Sequence, residues 1–235
     1  MPKTKEIKTI EVEVEDKAEL AQVENTALAD SPKWEEASTD ILIGRINVKG
    51  KSSGYDAGDF GDLVIKQENV IVKDGHKAQA VVVSAVKAWR EKTPFGSGVR
   101  GRIARTEEEA QELIEENKAL GDRGFKVVEF ADITMLVKQS DECEDDEGFE
   151  VPIGDDQWAI GKIDVSGKGY DFTYKALKTF QKLNPTASLV AVTWELYTKQ
   201  EQWDKKIWWV PMLKSSKHET SQEVLDWVSN FKQGV

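Results

Sequence analysis

Segments rich in β-branched and aromatic residues recur along this chain, separated by turn residues, and they limit the folds that it can adopt. The clearest are "KAQAVVVSAVKAW", "FKVVEFADITMLVK", "WAIGKIDVSG", "ASLVAVTWELYTK" and "KIWWVPMLK". Each is typical of a strand, because such side chains pack well on a pleated sheet. About seven or eight strands and three helices are expected, without regular βαβ alternation. This order favours a mainly β, α+β fold built on an antiparallel barrel over a doubly wound parallel sheet.

Two further patterns concern how the strands connect. "ILIGRINV" is strand-like, and "DLVIKQENVIV" and "KAQAVVVSAVKAW" are predicted to form a hairpin across the turn at Asp74-Gly75. In addition, "IGRINV" at 43–48 is similar to "IGKIDV" at 160–165. The similarity suggests a duplicated strand–loop unit, and chance turn chemistry explains it about as well.

The helices have clearer boundaries. Thr106 is a candidate N-cap with Glu109 at the capping-box position, and the helix is expected to end at Gly121. "YDFTYKALKTFQKL" has helical spacing, and "TSQEVLDWVSNFK" is amphipathic. We therefore expect a polar, partly mobile arm over residues 1–33 and a barrel domain over 34–218. That domain includes a helical insertion near 106–120 and an acidic loop at 140–157, and a C-terminal helix follows over 219–235.

Composition and motifs argue against several functions. One cysteine, Cys143, and two histidines allow neither an internal disulfide nor a Cys/His zinc site. The acidic run around Cys143 is expected to raise the pKa of its thiol, which disfavours a nucleophilic role. That run lacks the spacing of a calcium loop. Neither a phosphate-binding Walker loop nor a nucleophile elbow is present, and no apolar run approaches roughly 18 residues. We expect no enzyme activity, no cofactor, no metal, no membrane contact and a cytoplasmic location, in the host cell if the protein is viral.

Charge is distributed unevenly around a net value of −11. Residues 41–105 carry 12 bases and 6 acids, and residues 158–235 carry 11 bases and 8 acids. Between them, residues 106–157 carry 18 acids and 4 bases. Two basic blocks are therefore separated by a very acidic one, and local potential decides partner choice more than net charge does.

Aromatic residues lie among basic residues in two stretches of the sequence. Single-stranded nucleic-acid binding needs both, because aromatic rings stack on bases and cations neutralise phosphates. The first is "KAWREKTPFGSGVRGRIAR" at 87–105, and the second is "YTKQEQWDKKIWWVPMLK" at 197–214. Trp89 fits a core role equally well, and adjacent Trp208 and Trp209 must point to opposite faces of a strand. The candidate binding residues are Trp89, Arg90, Phe95, Arg100, Arg102, Tyr170, Lys175, Trp203, Lys205, Lys206 and Trp208.

The segment "KIDVSGKGYDFTYKALKTFQKL…ASLVAVTWELYTKQEQWDKKIWWVPMLK" resembles a family of tailed-phage proteins, and "YDAGDFGDLVI…AVVVSAVKAWREKTPFG" is similar to that family's entry loop and following strand. The resemblance covers about 41–213. It implies a single-stranded DNA-binding protein of OB-fold type and places Trp89, Arg90, Lys205, Lys206 and Trp208 at matching positions. Such proteins often end in an acidic disordered tail. The helix predicted here instead suits docking of a second copy or of a replication or recombination protein.

Together these observations favour an OB-like barrel that binds single-stranded DNA largely independently of sequence, in phage DNA replication or recombination. A protein-interaction module or DNA-mimic inhibitor of a host nucleic-acid enzyme is the alternative, in which the acidic block 106–157 imitates DNA. A magnesium-dependent nuclease is a weaker alternative, because no catalytic set of carboxylates stands out.

Overall fold

The structure is a computed structural model that describes residues 43–51, 53–94, 98–143 and 146–233. The predicted arm at 1–33 lies outside these residues. The described strands are β1 Gly44–Val48, β2 Leu63–Ile65, β3 Asn69–Val72, β4 Ala78–Lys92, β5 Ile103–Ala104, β6 Lys126–Lys138, β7 Val151–Ile153, β8 Asp156–Ser166, β9 Val192–Trp203 and β10 Lys206–Glu219. The described helices are α1 Glu107–Ala119, α2 Lys168–Phe172, α3 Tyr174–Leu183 and α4 Gln222–Gln233.

All ten strands belong to one sheet, in the order β10-β9-β4-β6-β8-β1-β2-β3, with β5 beside β4 and β7 beside β8. The sheet is strongly curled and forms a half-barrel. This confirms the mainly β fold with helices that the sequence predicted. Among the described strand pairs, β1 and β8 are the parallel exception to an otherwise antiparallel sheet.

The two faces of the sheet have separate cores, because successive side chains of a strand point to opposite sides. The larger core draws on every long strand and fills the curl, with Trp194 and Leu177 of α3 among its most buried members. The second core lies on the other face, where Val224 and Val228 of α4 belong to one buried cluster with Leu136 of β6 and Val151 of β7. The predicted C-terminal helix is therefore present, and its apolar stripe covers the sheet.

The helix predicted after Thr106 is confirmed in detail. The Thr106 hydroxyl accepts from the backbone N–H of Glu109, and the Glu109 carboxylate accepts from the backbone N–H of Thr106, which is a complete capping box. Ala110 and Leu113 pack on Ala104 of β5. The helix is thus fixed against an extension of the β4–β6 hairpin.

The predicted hairpin across Asp74-Gly75 is wrong. β3 pairs with β2, whereas β4 pairs with β5, β6 and β9. The segment "DLVIKQENVIV" is itself a hairpin, whose turn places Lys66 at φ 55° and Gln67 at φ 66°. Both values lie in the left-handed region, which Gly and Asn usually occupy in such turns. Lys and Gln do not indicate a turn of this kind, so it was not predicted from the sequence.

The acidic segment at 140–157 is not simply a solvated loop. Cys143 and Phe149 are buried in the larger core, and Val151 and Ile153 are buried while Pro152 between them is exposed. This period-2 pattern forms β7, which pairs with β8. Burial raises the pKa of the Cys143 thiol, and the neighbouring Glu142 adds to that effect. The predicted direction is confirmed, with burial as the larger cause.

The helical segment near 168–183 is interrupted. Thr173 separates α2 from α3, and its hydroxyl donates to the carbonyl of Gly169 across 2.6 Å. None of the described helices is long and apolar enough to cross a bilayer.

Candidate nucleic-acid interface

A groove with a volume of about 450 Å³ lies where the curled sheet brings β10 back towards β1. Its walls come from β1, the end of β8, the start of α2 and β10. The lining residues are Ile46, Asn47, Val48, Ile163, Asp164, Val165, Ser166, Lys168, Gly169, Trp208, Trp209, Val210 and Pro211. This volume lies in the range of ordinary ligand sites, and the lining mixes apolar, aromatic and charged groups.

The floor of the groove is formed by the two similar segments noted in the sequence. "IGRINV" and "IGKIDV" lie side by side, with Gly44 opposite Gly161 and Ile46 opposite Ile163. A Cβ at Gly161 would lie 2.5 Å from Cγ1 of Ile46, so glycine is required for the close approach. The sequence similarity therefore corresponds to neighbouring parallel strands, both of which line the groove.

The neighbouring tryptophans of β10 border the groove and are both half-buried. Lys168 places its Nζ 5.7 Å from the centre of the Trp208 ring. Trp209 instead packs on the exposed ring of Phe60, with ring centres 6.2 Å apart, and its Nε1 donates to Asp74. Trp209 is thus held by the 59–74 region, whereas Trp208 contacts a lysine of the groove wall.

A network of carboxylates positions that region. The buried Asp62 accepts from the backbone N–H groups of Asp59 and Asp74 at 2.8 and 2.7 Å. Asp74 in turn accepts from the Thr198 hydroxyl and the Trp209 indole at 3.1 and 3.2 Å. Side-chain hydrogen bonds therefore join β9 and β10 to the loops that flank β2 and β3.

The tip of the β9–β10 hairpin projects its aromatic and basic residues. Trp203 is 78% exposed, and Lys205 and Lys206 are exposed beside it. Ile207 is 38% exposed, so the tip has an apolar surface as well. Within the described part of the chain, Lys205 and Lys206 form no ion pair. Three of the predicted binding residues thus meet at one exposed turn.

Lys168 and Lys199 hold one carboxylate close to Trp208. Glu201 accepts from Nζ of Lys168 at 2.5 Å and from Nζ of Lys199 at 2.9 Å. These hydrogen bonds, that of Lys168 first, lower the pKa of Glu201 from its ordinary value. None of these three residues is among the binding residues predicted from the sequence, although Lys199 and Glu201 belong to the aromatic and basic stretch at 197–214.

In the 87–105 stretch, by contrast with the hairpin tip, Trp89 and Arg90 are engaged in contacts within the protein. Trp89 is half-buried against the core of α1, with Nζ of Lys87 4.4 Å from its ring centre. Arg90 forms an ion pair of 2.5 Å with Asp164 of the groove wall and lies over the ring of Phe130. Burial raises the pKa of Asp164, an effect that Arg90 opposes. Arg90 therefore reaches the groove, and its charge is already paired.

Arg102 is engaged inside the arm formed by β4, β5 and α1. Its guanidinium contacts Glu91 at 2.8 Å and Glu116 at 2.5 Å. Burial opposes ionisation of Glu91, but hydrogen bonds from Arg102 and Asn117 outweigh it and lower the pKa of Glu91 to about 2. Arg100 is exposed, and Phe95 lies outside the described residues.

The last two candidates differ in exposure. Tyr170 is buried, with its ring centre 5.1 Å from that of Tyr174, and burial raises the pKa of its hydroxyl. Its ring is therefore not available for stacking. Lys175 at the start of α3 is exposed and forms an ion pair of 2.5 Å with Asp171 of α2.

Metal chemistry has no candidate site in the part of the chain described above, where no group of three or more His, Cys, Asp and Glu side chains is placed to hold an ion. Of the acidic run at 141–147, Glu142 contacts His76 at 3.3 Å, and Glu144 and Asp145 lie outside the described residues. No family model matches the chain, and neither a curated protein nor a solved structure matches it significantly.

Proposed function

We propose that this protein binds single-stranded DNA largely independently of sequence, and that its half-barrel is an OB-like fold with added helices. The observation that carries the proposal is the joint placement of Trp208 and Lys168 at the groove and of Trp203, Lys205 and Lys206 at the adjoining hairpin tip. A strand of DNA needs aromatic faces for its bases and cations for its phosphates, and this surface supplies both.

The binding path runs from the exposed hairpin tip along β10 to the groove. Base stacking on an aromatic ring contributes about 1–3 kcal/mol and tolerates every base. The exposed lysines of the tip are free to contact phosphates, whereas Arg90 and Arg102 form ion pairs within the protein. The proposed contact surface is therefore centred on β10 and α2. Arg100 is an exposed outlying cation.

The resemblance to phage single-stranded DNA-binding proteins supports a role in DNA replication or recombination in the host cytoplasm. In that setting the partners are single-stranded DNA and replication or recombination proteins. Helix α4 carries stacked Trp227 and Phe231, with ring centres 5.1 Å apart, beside its buried stripe. Both a second copy of the chain and a replication protein suit this helix.

A second candidate function is a protein-interaction module that imitates DNA. Helix α1 favours it, because one helix exposes a dense set of carboxylates, namely Glu107, Glu108, Glu109, Glu112, Glu115 and Glu116. Such a surface would attract a basic nucleic-acid enzyme. The two candidates differ in one observable, since only the first predicts direct binding to DNA.

The test is a titration of intrinsic tryptophan fluorescence with oligo-dT of about 30 nucleotides, at low and moderate salt. We expect quenching that weakens with salt, because phosphate contacts release about 0.7 counterions per phosphate of a single strand. Lys205→Ala/Lys206→Ala should bind about tenfold more weakly and with a smaller salt slope. The control Lys178→Ala/Lys182→Ala removes equal charge from the exposed face of α3 and should bind like wild type. Absence of binding at low salt, with the fold intact by circular dichroism, would favour the protein-interaction alternative.

A further inference from the structure

Glu201 is enclosed between two lysines of different elements, and this cluster is more than a surface ion pair. Its side chain is only 12% exposed, whereas those of Lys168 and Lys199 are 50% and 54% exposed. Each carboxylate oxygen accepts from a different ammonium group. The lysines therefore converge on one monovalent anion and remain accessible from solvent.

Aromatic faces flank the same cluster. Nζ of Lys168 lies 5.7 Å from the ring centre of Trp208, and Nζ of Lys199 lies 5.5 Å from that of Phe172. Two convergent ammonium groups beside two aromatic rings match what one nucleotide presents, which is a phosphate with a base next to it. Trp208 also lines the groove, so the cluster is continuous with the proposed DNA path.

We propose that Lys168 and Lys199 form a phosphodiester site that Glu201 occupies in the unbound protein, and that a phosphate of the bound strand displaces this carboxylate. The inference rests on the proposed function and adds that a carboxylate of the same chain competes with the DNA phosphate for these lysines. Glu201 lies near the tip of the β9–β10 hairpin, in register with Trp208 across the two strands. Displacement therefore requires the side chain to rotate away, not the sheet to separate.

The exchange replaces one negative charge by another. A carboxylate and a phosphodiester each carry a single charge, so the net charge of +1 on the two lysines and their bound anion is the same before and after the exchange, and few counterions are released. In wild type this site should therefore add little to the salt dependence of binding. Without the carboxylate, the same lysines would be occupied by solution anions, and DNA binding would release them.

The chain offers a matched control on the same hairpin. Glu195 accepts from Nζ of Lys77 at 2.8 Å, and that ammonium lies 5.4 Å from the ring centre of Tyr197. This pair has the same chemistry, with one lysine in place of two, and does not line the groove. Glu195→Gln thus changes net charge by the same amount as Glu201→Gln without opening the two-lysine site.

The experiment measures fluorescence anisotropy of labelled oligo-dT of about 30 nucleotides with wild type, Glu201→Gln, Glu195→Gln and Glu201→Gln in a Lys168→Ala/Lys199→Ala background. We expect Glu201→Gln to bind about three- to tenfold more tightly at low salt and with a salt slope steeper by about 0.7, because neutralisation of that one phosphate is then no longer offset by displacement of a carboxylate. Glu195→Gln should bind like wild type. In the background that lacks both lysines, Glu201→Gln should no longer strengthen binding.

Two results overturn the inference and differ from one another. If wild type binds and Glu201→Gln binds equally well, more weakly, or no better than Glu195→Gln, the carboxylate is not a competitor and the proposed function stands. If no variant binds at low salt, the proposed function fails and the inference fails with it. Thermal melts of all variants establish that the comparison is between folded proteins.

Discussion

The indole Nε1 of Trp209 donates a hydrogen bond of 3.2 Å to Oδ2 of Asp74, and this bond ties β10 to the turn that follows β3. Its neighbour Trp208 contacts Lys168 at the groove. The two adjacent tryptophans thus differ in their contacts. Trp209 joins β10 to the turn after β3, whereas Trp208 lies against a lysine of the proposed DNA path.

Trp209→Phe should therefore destabilise the fold. The ring is largely kept, but the hydrogen bond to a carboxylate is lost, which we expect to lower the free energy of unfolding by about 1.5–3 kcal/mol. Urea denaturation measures this value. Trp208→Phe is the matched control and should unfold like wild type within about 0.5 kcal/mol, because its indole N–H has no hydrogen-bond partner among the described residues. Equal losses of unfolding free energy in Trp209→Phe and Trp208→Phe would show that the hydrogen bond of Trp209 is not the source of the difference.

Trp208→Ala should weaken DNA binding more than it weakens the fold. Loss of one stacking face costs about 1–3 kcal/mol, which raises the Kd by about 5- to 150-fold, and Trp208→Phe should restore most of the affinity. Anisotropy titration with oligo-dT measures the change. Unaltered affinity in Trp208→Ala would remove this residue from the interface.

Gly161→Ala should distort the pairing of β1 with β8. The added Cβ would lie 2.5 Å from Cγ1 and 2.6 Å from Cδ1 of Ile46, so we expect a loss of about 1–3 kcal/mol in the free energy of unfolding. Gly54→Ala, where no heavy atom lies within 4 Å of the new Cβ, serves as the control. Chemical denaturation of both variants provides the measurement, and equal stability of the two would refute the close approach.

Glu91 should make stability depend on pH. Its pKa in the folded protein is about 2, below the ordinary 4.5, so its contribution is fully present above about pH 4.5 and is lost as pH falls towards 2. At pH 7, Glu91→Gln should be less stable than wild type by about 1–3 kcal/mol, and the difference should shrink through that window. Urea denaturation from pH 7 to pH 2.5 measures it. The exposed Glu112→Gln should show no such change, and a pH-independent deficit in Glu91→Gln would argue against ionisation as its cause.

Much of the sheet could be predicted from local pattern, because the long strands β4, β6, β8, β9 and β10 have dense β-branched and aromatic side chains. The β2–β3 turn could not be predicted in this way, because Lys66 and Gln67 adopt a left-handed backbone conformation that is unusual for their residue types. Of the candidate binding residues, the sequence placed Trp203, Lys205 and Lys206 in one turn, and the structure has all three exposed at the hairpin tip.

The rest of the candidate site depends on contacts between distant segments. Lys168 and Glu201 are 33 positions apart, and no local pattern joins them. Arg102 appeared available for phosphate in the sequence, but Glu91 and Glu116 engage it in the fold. Charge patterns thus indicated candidate binding residues, while ion pairing, set by the tertiary fold, decides which of them remain available.

The pairing of Gly44 with Gly161 also bears on how the chain is made. The two partners are separated by 117 positions, so synthesis at 5–20 residues per second places roughly 6–23 s between their appearances. During that interval β1 can pair with β2, but the edge that will receive β8 has no partner. A nascent chain held at that stage presents an open strand edge to any chaperone or neighbouring polypeptide, and the arrival of residues 161–163 is the event that covers it.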